Sequence, residues 1–203
     1  MAKPRERTVS ETKTSMCFVA LRRFFVNLSS TVKFTNILLI VMTLSFFSNA
    51  ASHAAPLKIG DKAPTVSATT DDGKTLNLGD VYAKNDYTLI YFYPRALTGG
   101  CTKQGCSLRD AMTELKAQGV AVVGVSNDPI EKQKEFKALN NFPFPLLADV
   151  DEVVIKAFGQ PGGSAAAREA YLIDRSGTVV YHDEKQTDQQ AEKVLEFLKT
   201  KKS

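Results

Sequence analysis

The sequence predicts an α/β fold with a mixed central sheet flanked by helices, and three observations carry that prediction. Two continuous runs of apolar, aromatic and β-branched residues, Asp86 to Tyr93 (DYTLIYFY) and Val120 to Ser126 (VAVVGVS), have the character of strands buried on both faces. Between them Leu108, Met112 and Leu115 recur at helical spacing, which makes a strand–helix–strand unit. Two short strand-like runs then flank Asp174-Arg175-Ser176-Gly177 as a hairpin, and an amphipathic segment closes the chain. The composition agrees: 43% apolar and 24% charged residues are too apolar for disorder, and three cysteines are too few for a disulfide scaffold.

Taken in order, Pro56 to Pro64 reads as a linker into an extended segment, and Asp71-Asp72-Gly73 as the turn of a β-hairpin. Pro94 stops the first buried strand. A loop containing Gly99 and Gly100 leads into a helix over Cys101 to Gln118, closed by Gly119. After the second buried strand, Asn127-Asp128-Pro129 supplies a capping residue and a first-turn proline to a helix whose Phe136 and Leu139 face inward. Phe144 to Ala148 is a short strand and Asp149 to Phe158 a short helix. Gly159 to Ala167 (GQPGGSAAA) is an aperiodic small-residue loop. Glu169 to Ile173 and Thr178 to Tyr181 form the hairpin, and Asp188 to Lys199 the last helix, with Val194, Leu195 and Leu198 apolar.

Residues 1–55 read as an address, and residues 56–203 as the folded domain. The first 55 residues hold seven basic and two acidic residues, whereas the remainder holds 19 basic and 20 acidic. The whole basic excess is therefore in the leader, and the near-neutral body has no electrostatic footprint for nucleic acid. A basic region precedes the 14-residue apolar run Phe34 to Phe47, and SNAASHAAP follows it, as in a secretory signal. Ala50 or Ala54 suits the last residue before cleavage, with Ser48 or Ser52 two residues earlier. The run is short of the roughly 20 residues that cross a bilayer, so no stable membrane insertion is expected once the leader is removed. In a bacterium this means export to the periplasm or medium. The alternatives are an organellar address, as for a plastid or thylakoid lumen, an uncleaved anchor, or initiation at Met16. Cys17 is lost with the leader.

Cys101 and Cys106 are the only cysteines of the body. Cys101 falls just past the end of a central strand and at a helix start, the edge where α/β folds collect their sites. Unpaired N–H groups and the positive end of the helix dipole stabilise a thiolate there. On an ideal helix, residues five apart have Cα atoms roughly 8–9 Å apart, beyond the ~7 Å limit for a disulfide. The pair cannot bond until the first turns unwind, and Gly105 lowers the cost of unwinding. That suits a two-step redox cycle. Two reduced core cysteines, or one static disulfide in an exported protein, remain alternatives. Zinc fails for want of ligands, and a Cys–His hydrolase would depend on His182 alone. No metal or cofactor is expected.

The segment Tyr91 to Asp110 (YFYPRALTGGCTKQGCSLRD) resembles the peroxiredoxins, most of all their bacterioferritin comigratory protein (peroxiredoxin Q) branch. The motif Pro-x-x-x-Thr/Ser-x-x-Cys is met by Pro94, Thr98 and Cys101, and the branch's second cysteine, five positions on, by Cys106. Arg168, ahead of YLID, matches the active-site arginine, and the likeness runs from KIGDKAP to the last helix. Gly99-Gly100 departs from the usual Pro-Gly.

The resemblance implies a thioredoxin-like fold and a thiol peroxidase in which Cys101 attacks a hydroperoxide and becomes a sulfenic acid. Arg168 would stabilise the thiolate and polarise the peroxide. Thr98 would donate to one peroxide oxygen and accept from the other, and Pro94 would shape and shield the loop. Cys106 would condense with the sulfenic acid into a disulfide that thioredoxin or a similar dithiol reduces. A monomer is implied as well. The competing readings are a thiol–disulfide exchange protein, against which the missing CxxC argues, and a non-catalytic domain with a static disulfide.

Overall fold

The computed structural model describes residues 55–202 of the chain. The leader, its cleavage positions and Cys17 therefore lie outside the described residues, Ala55 apart. Seven strands form one mixed sheet: β1 (Ser67–Thr70), β2 (Thr75–Asn77), β3 (Tyr87–Phe92), β4 (Val120–Ser126), β5 (Leu146–Ala148), β6 (Glu169–Asp174) and β7 (Val179–Glu184). Their order across the sheet is β2-β1-β5-β4-β3-β6-β7. The β3–β4 and β4–β5 pairs are parallel and the others antiparallel. Among the described residues six helices accompany them: α1 (Leu78–Lys84), α2 (Gly99–Asp110), α3 (Met112–Ala117), α4 (Ile130–Asn140), α5 (Val153–Ala157) and α6 (Gln190–Lys202).

The central strands separate two apolar cores by their period of two. Leu89, Tyr91, Val122 and Leu172 face α2, α3, α4 and α6, meeting Leu108, Leu115, Phe136, Val194 and Leu198. Ile90, Phe92, Val123, Tyr171 and Ile173 face α1 and α5, meeting Leu78, Tyr82, Val154 and Ile155. Each fully buried large side chain contributes about 1.5–3 kcal/mol, so both faces of β3 and β4 are anchored. That fixes the end of β3, from which the loop of Pro94 to Thr98 leaves for α2.

Several expectations are corrected. The helix expected over residues 101–118 begins at Gly99 and breaks at Ala111 (φ −90°, ψ 7°) into α2 and α3; neither proline nor glycine marks the break. Leu139 is 67% exposed rather than inward, because α4 turns Gln133 and Phe136 to the core. Neither Asn127 nor Asp128 caps α4: Pro129 occupies the cap position, and the Asp128 carboxylate accepts from the Ala96 N–H at 2.6 Å instead. The segment read as a linker pairs with the far hairpin, where the N–H groups of Gly60 and Ala63 donate to the carbonyls of Val179 and Gly177. Helix α1 was not foreseen. Its signal is Asn77, whose side chain accepts from the Asp80 N–H, but Gly79 in the first turn weakens the helical pattern.

Candidate active site

The third residue of α2 is Cys101, 1% exposed and reduced. Helix α2 starts there because Thr98 is extended (φ −97°, ψ 150°) and its carbonyl takes the Thr102 N–H at 2.8 Å. The N–H groups of Gly99, Gly100 and Cys101 precede any intrahelical acceptor, so the positive end of the helix faces the thiol's surroundings. The preceding Leu97 has φ 65° and is 39% exposed. Left-handed backbone costs a leucine about 1–2 kcal/mol, which the anchored ends of the loop must offset. Asp128 provides one anchor at Ala96, and its own geometry is held by the Ser126 hydroxyl at 2.9 Å and Lys132 at 2.7 Å.

Arg168 reaches this helix start from the loop before β6. Its Nη2 donates to the Cys101 Sγ at 3.3 Å. Its Nη1 donates to Gln104 Oε1 at 2.6 Å and, weakly, to the Gly100 carbonyl at 3.5 Å. A Cβ on Gly100 would stand 3.2 Å from Nη2, so glycine there lets the guanidinium approach. Gly99 faces open space.

Thr98 sits at the helix cap position, yet its side chain does not cap. The hydroxyl donates to the Arg95 carbonyl at 2.9 Å. Its single proton is thus committed and its lone pairs are left to accept, which narrows the donor-and-acceptor role expected of it. Pro94 lies two residues past the end of β3, after Tyr93, and is half-buried.

Cys106 lies about one and a half turns beyond Cys101 on α2, half-buried, with its sulfur 3.9 Å from Asn140 Oδ1 at the end of α4. Both cysteines are free and share one continuous helix, so α2 holds them apart. Gly105 has a packing role that the sequence did not reveal: a Cβ there would fall 2.4 Å from Phe142 Cζ. His182 stacks on Tyr171 at 4.3 Å and lies 3.6 Å from Glu169, not with the cysteines. Burial raises the hydroxyls of Tyr91 and Tyr93 beneath α2 far above the ordinary tyrosine range, so both stay neutral. Gln104, fully buried, completes the Arg168 site and was missed; its place three residues after Cys101, on the same helix face, was its only signal.

A free thiol at a helix start, faced by a guanidinium at the edge of a mixed α/β sheet, defines a thiol-based redox enzyme. Residues 59–182 match the AhpC/TSA family. The chain is 40% identical over 153 residues to peroxiredoxin Bcp of Escherichia coli K12, covering 71% of this chain and 97% of that one. It is 34% identical to the chloroplastic peroxiredoxin Q of Suaeda salsa, covering 75% and 73%. The crystal structure of peroxidoxin BcpB from Mycobacterium tuberculosis superposes with a TM-score of 0.67 at 30% identity, covering 72% of this chain and 99% of that one. The chain belongs to the AhpC/TSA family and, within it, to the Bcp/peroxiredoxin Q peroxiredoxins. Its fold is thioredoxin-like, and it is a thiol peroxidase, an oxidoreductase.

Proposed function

We propose that the protein reduces hydrogen peroxide and organic hydroperoxides through a Cys101–Cys106 disulfide cycle, recycled by thioredoxin or a similar dithiol. The observation that carries this reading is the Arg168 Nη2 at 3.3 Å from the Cys101 sulfur, at the start of α2. The Cys101 thiolate attacks the terminal peroxide oxygen. An S–O bond forms, the O–O bond breaks, and the leaving oxygen takes a proton and departs as water or alcohol. The sulfur is oxidised by two electrons to a sulfenic acid. Arg168 and the N–H groups at the helix start offset the charge gathering on the leaving oxygen. Thr98, its hydroxyl already donating to the Arg95 carbonyl, accepts from the peroxide O–H.

In the second step α2 unwinds between the cysteines. The Cys106 sulfur displaces the sulfenic hydroxyl, which leaves as water, and the S–S bond forms. Two electrons and two protons from an external dithiol then restore both thiols. The protein acts as a monomer. Residues 1–55 direct it out of the cytosol, to the periplasm or medium of a bacterium or to an organellar lumen, and are removed on arrival.

One equivalent of hydrogen peroxide added to reduced residues 56–203 tests the cycle through thiol titre and intact mass. Wild type loses two thiols, Cys101→Ser does not react, and Cys106→Ser gains one oxygen. If Cys101→Ser reacts as fast as wild type, the assignment is wrong. Intact peroxide together with reduction of a scrambled disulfide substrate would instead mark an exchange protein. The mass of the mature chain from its host tests the leader.

A further inference from the structure

Gln104 stands on α2 between the two cysteines, fully buried, with both ends of its amide engaged. Its Nε2 donates to Gln190 Oε1 at 3.0 Å, and Gln190, the fully buried first residue of α6, donates through Nε2 to Asp183 Oδ2 at 2.7 Å. The Tyr181 hydroxyl donates to the same oxygen at 2.8 Å. The direction of this chain is forced. A guanidinium only donates, so Gln104 must turn its oxygen to Arg168 and its NH2 to Gln190. Gln190 must then present its oxygen to Gln104 and its NH2 to Asp183, a carboxylate that only accepts when ionised. Helix α2 is thereby joined in one orientation to β7 and α6, which lie far from it in sequence.

We infer that Gln190 and Asp183 are positioning residues of the peroxide site, holding Gln104 so that Gln104 holds the Arg168 guanidinium against Cys101. The inference rests on the peroxidatic role of Cys101 proposed above. The chemical logic lies in where the negative charge stands. A carboxylate directly on Arg168 would fix it equally well but would compete with the thiolate for its charge. Neutral Gln104 fixes the orientation and leaves the cation to the sulfur, and the anchoring carboxylate is two amides away. Among the described residues, Arg168 forms no ion pair with a carboxylate. The chain of bonds belongs to the reduced fold, because Gln104 lies in the stretch of α2 that separates the cysteines.

The test uses the full chain with Cys17→Ser and Cys106→Ser, so that Cys101 is the only thiol. Its rates with iodoacetamide and with hydrogen peroxide are measured in the parent, in Gln190→Leu and Gln190→Met, and in Asp183→Asn. The glutamine variants cannot carry the chain of bonds, whereas asparagine keeps an acceptor oxygen for Gln190 and Tyr181. Whichever glutamine variant melts within a few degrees of the parent alkylates about tenfold more slowly at neutral pH. Its peroxide rate falls at least as far. Asp183→Asn, which keeps the acceptor, loses less than either glutamine variant. Parent-like rates in the folded glutamine variants would overturn the inference, as would an Asp183→Asn as impaired as Gln190→Leu. A parent that alkylates but ignores peroxide would instead sink the peroxidatic reading, and the alkylation arm still tests the positioning.

Discussion

Arg168 holds its two main partners with one planar group, Nη2 on the Cys101 sulfur and Nη1 on Gln104 Oε1. Arg168→Ala therefore lowers the second-order rate constant for hydrogen peroxide by about 10²–10³-fold, the loss typical of deleting a donor aimed at developing charge. Arg168→Lys recovers little of it, since an ammonium cannot present a fork in that plane; stopped-flow reaction of the reduced variants measures both. Gly99 is the other residue with a sharp expectation. It is the first residue of α2, open space surrounds a Cβ placed there, and the first helical position favours proline. Gly99→Pro raises stability by about 0.4–1 kcal/mol through the unfolded chain, read as a higher urea midpoint at unchanged slope. A lower midpoint would show that the loop needs freedom at this position. Pro94, Thr98, Cys101 and Cys106 were legible because their spacing is local. The Gln104–Gln190 bond joins residues 86 apart, and no local pattern announces it.

At the scale of elements, the hairpin between β6 and β7 shows a turn whose signal was readable and whose energetics were not. The Asp174-Arg175-Ser176-Gly177 sequence marks the turn, but only the structure shows Asp174 Oδ1 taking the Ser176 N–H at 2.9 Å, the Ser176 hydroxyl at 2.7 Å and the Thr178 N–H at 2.9 Å. Burial pushes this carboxyl up, but the Ser176 hydroxyl and the two backbone donors outweigh it and hold it below the ordinary value of 3.8. A depressed carboxyl stabilises the fold above its unfolded value and loses that contribution as pH falls through the folded one. Asp174→Asn is thus less stable than wild type by about 1 kcal/mol near neutrality, the net worth of a charge-assisted bond over a neutral one. The difference shrinks as pH falls below 3.8 and is gone once pH passes the lower folded value. Urea unfolding at both pH values checks it, and a difference independent of pH would assign the effect to the turn's shape. Elsewhere an element's chemistry misled the reading. Asp128 before α4 has the character of a helix cap, but a buried carboxylate goes to the donor that most needs it, here the Ala96 N–H in the loop before Cys101.

Across the whole molecule, the arrangement separates what must move from what must not. β3 and β4 were plain in the sequence because strands buried on both faces are apolar throughout, and they pair in parallel from Tyr87–Val120 to Phe92–Val125. The cysteine helix instead packs on one face of that sheet, and between the cysteines it is held by the Gln104 bonds and by Phe142 against Gly105. Phe142 itself packs edge-on against Phe136 at 5.0 Å and stacks on Phe144 at 5.2 Å, so this contact is tied to the core and not to the helix alone. In the proposed cycle, opening residues 99–106 would break these local contacts and leave the sheet's hydrogen bonds in place, so the disulfide step is expected to be a local unfolding and not a global one. Hydrogen exchange followed by mass spectrometry tests this in the reduced protein and in protein oxidised with one equivalent of peroxide. Peptides spanning residues 99–106 lose protection on oxidation, whereas those of β3 and β4 exchange at the reduced protein's rate. Loss of protection in β3 and β4 as well would mean that the sheet gives way with the helix. Unchanged protection in α2, with both thiols consumed, would mean that the cysteines had paired between molecules instead of within one.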